Sequence, residues 1–478
     1  MKMRKPKQEI ILTDVEITDA GSEGNAIAKI DGRVIFVPFV VPGDVCDIKL
    51  YKTKKNYAEG RAIEIKKYSP LRAEVQCPHF GVCGGCRWQN MIYSEQLKYK
   101  QKQVADNLER LGKIDISNMQ DICGSENIFY YRNKLEYTFS NRPWINAEDI
   151  KNPDFVPLPN ALGFHVPGLF DKILNIDHCA LQDNLSNEIR LAIKAYALEN
   201  DLEFYDIRNH TGYLRNIVIR NTSIGQWMLV VIVAQDEPEK LMPLMEFIKN
   251  KFPQITSLQY IINQKMNDSY TDLDAFTYNG QDHVVEEMPS FKEQDKPLRF
   301  KIGPKSFYQT NSAQAYRLYS LAAEMAELTG NEVVYDLYTG TGTIANFVAR
   351  NSKKVVGIEY VEDAIVDAKD NSRINNITNT SFYAGDMANV LTEDFIAQNG
   401  KPDVVITDPP RAGMHQKVID QLLKALPRKI VYISCNPATQ ARDVALLAEK
   451  YEVGKIQPVD MFPHTHHVEN IVELNIKD

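Results

Sequence analysis

One segment in the C-terminal third of the chain limits the possible folds more than any other. Residues 333–343 read VVYDLYTGTGT, a short apolar strand that enters a turn with two glycines before a helical pattern begins. Glycine lets a ligand approach the backbone closely, and the first N–H groups of a helix are free to bind it. Apolar strands alternate with helical segments from about residue 300 onward, which predicts a doubly wound α/β sheet with parallel strands. These strands are Val333–Leu337, Lys354–Ile358, Asp403–Thr407 and Ile430–Ser434.

A carboxylate follows this turn at the spacing of a nucleoside site. Glu359 ends the second strand, nineteen residues after Gly340, where it can accept hydrogen bonds from both ribose hydroxyls. The third glycine of a dinucleotide enzyme, which pyrophosphate needs, is missing here: Ala345 stands at its position and Asn346 follows. The pattern therefore favours S-adenosylmethionine over NAD. The alternative is a tight strand-to-helix turn without a ligand.

The third strand ends in the motif TDPPR. Its two prolines hold the carbonyl and carboxylate of Asp408 rigidly at the carboxyl edge of the sheet, where such sheets bind ligands. Enzymes that methylate amines carry a similar motif with an aromatic residue after the prolines. Arg411 occupies that place here, which argues against an amine target.

Cys435 lies in the motif SCNP, directly after the fourth strand. Carbon 5 of a pyrimidine is not nucleophilic enough to take a methyl group unaided. A thiolate that adds to carbon 6 generates an enolate, and the enolate attacks the methyl group. Beside the other two motifs, Cys435 is therefore predicted to be a nucleophile. The alternative is an inert buried cysteine.

After methylation, carbon 5 carries a proton that must leave before the thiolate can. Glu469, in the motif PHTHHVEN, is the predicted base, because a carboxylate can accept this proton. The competing interpretation is a metal site formed by His464, His466 and His467. Their spacing has no clear carboxylate or cysteine complement, which argues against metal.

A further motif, KSFYQTN, occupies residues 305–311, just ahead of the helices of the predicted α/β region. Gln309, beside aromatic residues, could hold the cofactor or the target base. A surface loop is an equally good interpretation of this segment alone.

Three cysteines within ten residues, Cys77, Cys83 and Cys86, indicate a metal or cluster site, and two intervening glycines allow the backbone to wrap tightly. Three clustered cysteines with a distant fourth resemble [4Fe–4S] ligation more than a zinc site, which usually has two close pairs. Zinc and free thiols are the alternatives. The candidates for the fourth ligand are Cys179, Cys123 and Cys46.

The N-terminal part has a different pattern. Residues 8–67 contain short β-branched or alternating segments separated by turns, which predicts a small β-barrel. The chain carries a net charge of −8, but residues 1–120 contain 20 Lys and Arg against 15 Asp and Glu. Residues 49–72 contain eight basic side chains and two acidic ones. A basic module on an acidic body suggests binding of a polyanion, and the alternative is an ordinary solvated face.

The middle of the chain is less informative. Residues 94–112 predict one helix, with Ser94 as N-cap and Gly112 as its end. Its apolar stripe would consist of Leu97, Val104, Leu108 and Leu111. Residues 125–300 mix strands and helices without a diagnostic motif. The predicted elements there are strands at 135–140, 216–222 and 227–234 and a helix at 184–199.

Composition excludes several classes of protein. With 44% hydrophobic and 25% charged residues the chain is globular rather than disordered or fibrous. No apolar stretch approaches the ~18 residues of a membrane span. The basic N-terminus is followed by an apolar run of only three residues, which predicts no signal peptide and a cytoplasmic protein.

The motifs DLYTGTGT, GIE, TDPPR, SCNPAT and PHTHHVEN, in this order, resemble the RNA 5-methyluridine methyltransferases, which modify ribosomal and transfer RNA. The resemblance extends over essentially the whole chain. Residues 8–67 resemble the TRAM barrel, an RNA-binding β module. CPHFGVCGGC with DHCALQ resembles the iron–sulfur signature of the 23S ribosomal RNA branch, and the bacterial transfer-RNA branch typically lacks both features.

The resemblance implies an α/β fold class: a Rossmann-like class I methyltransferase domain with an N-terminal TRAM or OB-like β-barrel and an α+β central domain that carries the iron–sulfur cluster. The expected boundaries are 1–68 for the barrel, 69–300 for the central domain and 301–478 for the methyltransferase domain. The helix at 94–112 is expected to pack against the methyltransferase domain.

The resemblance also implies roles for single residues. Cys435 would be the nucleophile, Glu469 the base and Cys179 the fourth cluster ligand. In one branch of the family an asparagine follows the second glycine of the first motif. This chain has Thr343 at that position, so the resemblance implies no cofactor contact there. The residues expected around S-adenosylmethionine are Gln309, Tyr338, Gly340, Glu359 and Asp408.

The expected activity is methylation of carbon 5 of a uridine in 23S ribosomal RNA, free or partly assembled, by a monomer with no membrane partner. One alternative is the same chemistry on transfer RNA. The other is a cluster-containing RNA-binding protein with an inactive methyltransferase core, against which the intact set of Cys435, Asp408 and Glu469 argues.

Overall fold

The computed structural model describes residues 9–21, 23–156, 158–293 and 295–477. Most of the basic N-terminus used in the signal-peptide argument, residues 1–8, lies outside the described residues. No helix among the described residues is long and apolar enough to cross a membrane.

The N-terminal part folds into six strands that enclose a small apolar core of their own. They are β1 (Ile10–Glu16), β2 (Asp19–Ala20), β3 (Ala26–Ile30), β4 (Arg33–Val37), β5 (Val45–Thr53) and β6 (Tyr57–Lys67). Their order in the sheet is β1-β5-β6-β4-β3-β2. Asp31 and Gly32 join β3 to β4 with φ values of 48° and 75°, as a tight hairpin turn requires. The prediction of a small β module is confirmed.

One long helix, α1 (Tyr93–Arg110), follows the cysteine-rich segment. The prediction of this helix is correct, but two of its details are wrong. Ile92 rather than Ser94 occupies the N-cap, and Leu111 is exposed rather than part of the buried stripe. Gln96 and Lys100 are fully buried instead, because the C-terminal domain supplies hydrogen-bond partners for both side chains.

The central part is a seven-stranded sheet covered on one face by two long helices. Its elements are β7 (Lys134–Ser140), α2 (Ala147–Lys151), β8 (Ala161–Val166), β9 (Leu169–Asn175), α3 (Asn184–Glu199), β10 (Leu214–Asn221), β11 (Trp227–Val233), α4 (Pro238–Lys251), β12 (Ile255–Ile262) and β13 (Ala275–Gly280). The strand order is β13-β12-β11-β10-β7-β8-β9. β11 and β12 are parallel, and the other neighbours are antiparallel. α3 and α4 pack on one face, and the other face joins the C-terminal core.

The C-terminal part alternates strands and helices. Its elements are β14 (Val284–Met288), β15 (Leu298–Ile302), α5 (Ser312–Ala326), β16 (Val333–Leu337), α6 (Thr343–Ala349), β17 (Lys354–Glu359), α7 (Glu362–Ile374), β18 (Thr380–Ala384), α8 (Met387–Val390), α9 (Glu393–Asn399), β19 (Val404–Thr407), α10 (Gln416–Ala425), β20 (Lys429–Ser434), α11 (Pro437–Leu447), β21 (Tyr451–Val459) and β22 (Glu469–Ile476).

Seven of these strands form one sheet in the order β18-β17-β16-β19-β20-β22-β21. The first five are parallel, and β22 is antiparallel to both of its neighbours. Strand order reverses between β16 and β19, which opens a crevice at the carboxyl edge of the sheet. The predicted doubly wound α/β fold is confirmed, and each predicted strand is present within two residues of its predicted bounds.

Candidate active site

The turn after β16 is built from three residues in the left-handed region. Tyr338, Gly340 and Gly342 have φ values of 66°, 55° and 75°. A Cβ on Gly342 would lie 2.9 Å from the Cβ of Ala368, so packing against α7 requires glycine there. A Cβ on Gly340 would meet nothing within 4 Å. The space above Gly340 is therefore open to a ligand.

Asn346 braces this turn from inside α6. It is fully buried, and its Nδ2 donates to the carbonyl of Gly342 at 2.8 Å. Its Oδ1 accepts from Ser372 Oγ at 2.8 Å. The side chain therefore supports the turn from the residue directly after Ala345, which takes the place of the third glycine of a dinucleotide site.

Glu359 is fixed beside the same turn. The N–H of Gly340 donates to its Oε2 at 3.1 Å, and the N–H of Val361 donates to its Oε1 at 3.0 Å. Each carboxylate oxygen can accept a further hydrogen bond. The geometry therefore leaves Glu359 able to receive the two hydroxyls of a ribose.

Three carboxyl groups converge at this edge of the sheet. Burial raises the pKa of Asp336 to about 7, and the charges of Asp408 and Glu359 add to the rise. Burial also raises the pKa of Asp408 to about 7. The pKa of Glu469 is raised well above its usual value by burial and by the charge of Asp408. Carboxyl groups that hold or release protons near neutral pH cluster at functional sites.

Cys435 is half-buried directly after β20. Burial raises the pKa of its thiol to about 11, and the charges of Glu469 and Asp408 contribute to the rise. Arg411 opposes it through its charge and a hydrogen bond. Asn436 ties the two motifs together, because its Nδ2 donates to the carbonyl of Arg411 at 2.9 Å. The protein therefore places its thiol, a cation and two carboxyl groups in one site.

Gln309 lies in this site rather than on a free surface loop. Its side chain hydrogen-bonds the hydroxyl of Tyr319, whose pKa is raised by burial and by the charges of Asp408 and Asp336. Asn133 of the central part donates to the carbonyl of Gln309 at 2.9 Å. Tyr319 could not be predicted as a site residue, because the sequence does not distinguish a single tyrosine at helical spacing in α5 from an ordinary core residue.

The three histidines of the last motif lie in different surroundings. The pKa values of His464 and His466 are lowered to about 4 and that of His467 to about 3, chiefly by burial. His464 contacts Gln96 of α1, with 3.2 Å between its Nδ1 and the glutamine Nε2. His467 Nδ1 lies 3.5 Å from Arg411 Nη2. All three are therefore neutral near pH 7.

The four cysteines named for the cluster gather in one place. Burial raises the pKa of Cys86 strongly, and the charges of Cys179, Cys83 and Cys77 add to the rise. Burial raises the pKa of Cys83 to about 11, with smaller contributions from Cys179 and Cys77. The N–H of Gly85 donates to Cys83 Sγ at 3.5 Å.

The other two candidate ligands lie elsewhere. Cys46 is buried in the core of the N-terminal module, and Cys123 packs beside β21. Within the described residues, no group of three or more His, Cys, Asp or Glu side chains is arranged to hold a metal ion. The expectation of an iron–sulfur cluster is therefore not confirmed, although the same four thiols are close enough for their charges to interact.

The fold and this edge of the sheet define the class of the protein as a Rossmann-like methyltransferase. A family model described as tRNA (Uracil-5-)-methyltransferase matches residues 277–477, and a TRAM domain model matches residues 12–63. An uncharacterized RNA methyltransferase of Bacteroides thetaiotaomicron is 56% identical over 459 residues, which cover 95% of this chain and 100% of the relative. One of Chlorobaculum tepidum is 37% identical and covers 98% of this chain and 97% of the relative.

A solved structure agrees over nearly the same length. The Pyrococcus abyssi tRNA (uracil-54, C5)-methyltransferase, in complex with S-adenosyl-L-homocysteine, is 28% identical with a TM-score of 0.72. The match covers 96% of this chain and 99% of that one. The chain belongs to the family of TRAM-domain RNA (uracil-5-)-methyltransferases, and the expected RNA uracil-C5 methyltransferase activity is confirmed at this level.

Proposed function

We propose that this protein methylates carbon 5 of a uridine in 23S ribosomal RNA through a covalent bond between Cys435 Sγ and carbon 6 of the uracil. The observation that carries the proposal is the convergence of Cys435 and Glu469 at the sheet edge that also holds Gly340 and Glu359. A nucleophile and a base beside an open nucleoside site are the parts that carbon-5 methylation requires.

The proposed reaction begins at Cys435. Its thiol releases the proton to solvent, the thiolate forms a bond to carbon 6, and the enolate electron pair at carbon 5 forms the bond to the methyl group. Bound S-adenosylmethionine supplies that methyl as an electrophile and leaves as S-adenosylhomocysteine. Glu469 then accepts the proton from carbon 5, the Sγ–C6 bond breaks, and the thiolate is restored.

The cofactor-facing residues are proposed from their position. Glu359 would bind the ribose hydroxyls, and the open space above Gly340 would admit the nucleoside. Support comes from the Pyrococcus abyssi relative, which holds S-adenosyl-L-homocysteine. The residues that complete this site in the proposal are Gln309, Tyr338 and Asp408.

Transfer RNA is the second candidate substrate. The Pyrococcus abyssi enzyme, which matches along almost the whole chain, is named for uracil 54 of transfer RNA. The resemblance of the cysteine signature to the 23S ribosomal RNA branch favours ribosomal RNA. Mapping 5-methyluridine in both RNAs from a strain that lacks this gene distinguishes them, because only the true substrate loses the modification.

We further propose that Cys77, Cys83, Cys86 and Cys179 hold a [4Fe–4S] cluster. The mutual electrostatic effects of these thiols support this set over Cys46 or Cys123. Methyl transfer and proton removal require no electron, so the cluster would be structural. It would join the 77–86 loop to Cys179, about 90 residues further along the chain.

A trapping experiment tests the covalent step. RNA that contains 5-fluorouridine, incubated with the protein and S-adenosylmethionine, should form a stable protein–RNA adduct, because fluorine does not leave as a proton does. Cys435→Ala should form none, and Cys123→Ala, a half-buried cysteine outside the site, should form the adduct normally. An adduct of undiminished yield in Cys435→Ala would disprove the assignment.

A further inference from the structure

The segment 460–468 connects β21 to β22 and leads directly into Glu469. Residues far away in the sequence fix its backbone. The hydroxyl of Tyr131 donates to the carbonyl of Pro463 at 3.0 Å, and Asn311 Nδ2 donates to the carbonyl of Met461 at 2.9 Å. Several more of its contacts come from α1 and the residues just before it, which are outside the methyltransferase fold.

His464 is the most constrained residue of this segment. Its φ is 65°, a left-handed conformation that is unfavourable for a non-glycine residue and persists only when its surroundings impose it. Its N–H donates to Gln96 Oε1 at 2.9 Å. Its carbonyl accepts from the N–H of Arg87 at 2.8 Å and from that of Trp88 at 3.0 Å. Gln96 of α1 and the two residues that follow Cys86 therefore hold His464 in this conformation.

Gln96 is itself locked in place. Its Nε2 donates to the carbonyls of Trp88 and Met91 at 2.9 and 2.8 Å. The side chain is fully buried. A buried amide with all of these partners has one orientation, so its Oε1 is a fixed acceptor for the His464 N–H.

A buried ion pair holds the start of the same segment. Lys100 Nζ lies 2.6 Å from Asp460 Oδ1, and both side chains are fully buried. The same ammonium donates to the carbonyl of Phe462 at 3.0 Å. The hydroxyl of Tyr93 donates to the other Asp460 oxygen at 2.9 Å. Tyr93, Gln96 and Lys100 lie at spacings of three and four residues, which is one face of α1.

We propose that this face of α1, formed by Tyr93, Gln96 and Lys100, positions Glu469 for removal of the carbon-5 proton. The inference rests on the proposed role of Glu469 as base. Proton transfer needs heavy atoms within about 2.6–3.2 Å, and a displacement of about 1 Å can reduce a rate by about a hundredfold. The contacts of α1 fix the segment 460–468, which leads into β22, and Glu469 is the first residue of that strand.

Gln96→Leu tests the proposal, with Gln103→Leu as its matched control. Gln103 lies on the same helix, and its Oε1 has no hydrogen-bond partner in the described part of the chain. Gln96→Leu should lower kcat about tenfold to a hundredfold with KM for RNA nearly unchanged. The methylated covalent complex should accumulate at steady state, because proton removal becomes the slow step. Gln103→Leu should do neither.

The concentration of active sites is measured by the yield of 5-fluorouridine adduct, and rates are expressed per active site. A partly unfolded variant then does not show a falsely low kcat. Gln96→Met is the second variant: it also removes the acceptor for the His464 N–H but fills the site with a side chain of similar length, and it should give the same accumulation. Amide exchange at His464 should also be faster in Gln96→Leu. Wild-type accumulation and exchange in Gln96→Leu would overturn the inference. Absence of any adduct in the wild-type protein would overturn the proposed function instead.

Discussion

Cys435 and Glu469 reach the same edge of the sheet from two adjacent strands. In the antiparallel β20–β22 pair, Ser434 lies opposite Asn470, so the residue after β20 and the first residue of β22 are neighbours. The charge of Glu469 adds to burial in raising the pKa of the Cys435 thiol to about 11. The nucleophile is thus electrostatically linked to the proposed base before any RNA binds.

This link predicts how alkylation of Cys435 depends on pH. The reactive form is the thiolate, so the iodoacetamide rate at Cys435 should rise with pH toward a midpoint near 11. Glu469→Gln removes the negative charge that faces the thiol as it titrates, which should lower the pKa of the thiol and shift the midpoint of the alkylation profile to lower pH. Mass spectrometry of the Cys435 peptide measures the rate. Glu473→Gln, on the same strand but paired with Lys429, is the control and should change nothing.

The strands, the turn and the position of Glu359 beside it could be predicted because their signals are local. Apolar runs of four to six residues that alternate with helical segments indicate buried parallel strands. Glu359 follows from its spacing after Gly340, and the structure places it against that residue. Cys435 and Glu469 were located because each stands at a strand end, although only the strand order shows that these ends are adjacent.

The positions of Gln96 and Lys100 could not be predicted, because burial of polar groups depends on partners distant in the sequence. An amphipathic helix normally turns such side chains to solvent. Here the buried face of α1 includes both, and each has a hydrogen-bond partner more than 350 residues away in the chain. The wrong assignment of Leu111 to the buried stripe has the same cause, since the helix packs with a polar part of its face inward.

Removal of Glu469, the proposed base, should stop the reaction after methyl transfer. Glu469→Gln should still form the Cys435 bond and accept the methyl group, but it should not release the product. A methylated covalent protein–RNA complex should therefore accumulate on natural RNA and be visible on a denaturing gel. Turnover at the wild-type rate would show that another group removes the proton.

Loss of Glu359, the proposed acceptor for the ribose hydroxyls, should weaken cofactor binding. Glu359→Ala removes two charged hydrogen-bond acceptors, each worth roughly 1.5 kcal/mol or more. The affinity for S-adenosylhomocysteine, measured by calorimetry, should fall at least about tenfold. Glu362→Ala, an exposed carboxylate in the first turn of α7, provides the matched control. Equal affinity of the two variants for S-adenosylhomocysteine would show that Glu359 does not bind the cofactor.

The lysines of the basic segment 49–72 should contribute unequally to RNA binding. Lys52 and Lys66 are ion-paired with Glu59 and with Glu64 and Asp47. Lys54 and Lys55 are exposed and have no ion pair within the described residues. Because each phosphate contact contributes about 0.7–0.9 to the salt slope, replacing both of these lysines with alanine should lower the slope by about 1.5.

The ion-paired lysines provide the comparison for this experiment. Lys52→Ala with Lys66→Ala should lower the salt slope of RNA affinity less, because these charges are already neutralised by carboxylates. Filter binding of the RNA substrate between low and moderate salt gives both slopes. Equal slopes in the two double variants and in the wild-type protein would show that these lysines do not contact RNA and form an ordinary solvated surface.

The four gathered thiols predict the metal content of the protein. Protein purified without oxygen should be brown and contain about four irons per chain. Cys179→Ser should lose the iron and the colour, whereas Cys46→Ala and Cys123→Ala should keep both, since these two cysteines lie in other parts of the fold. Because Arg87 and Trp88 follow Cys86 and hold the carbonyl of His464, loss of the iron should also speed amide exchange at His464. Stoichiometric zinc without iron in anaerobic protein would refute the cluster and leave the methyltransferase assignment intact.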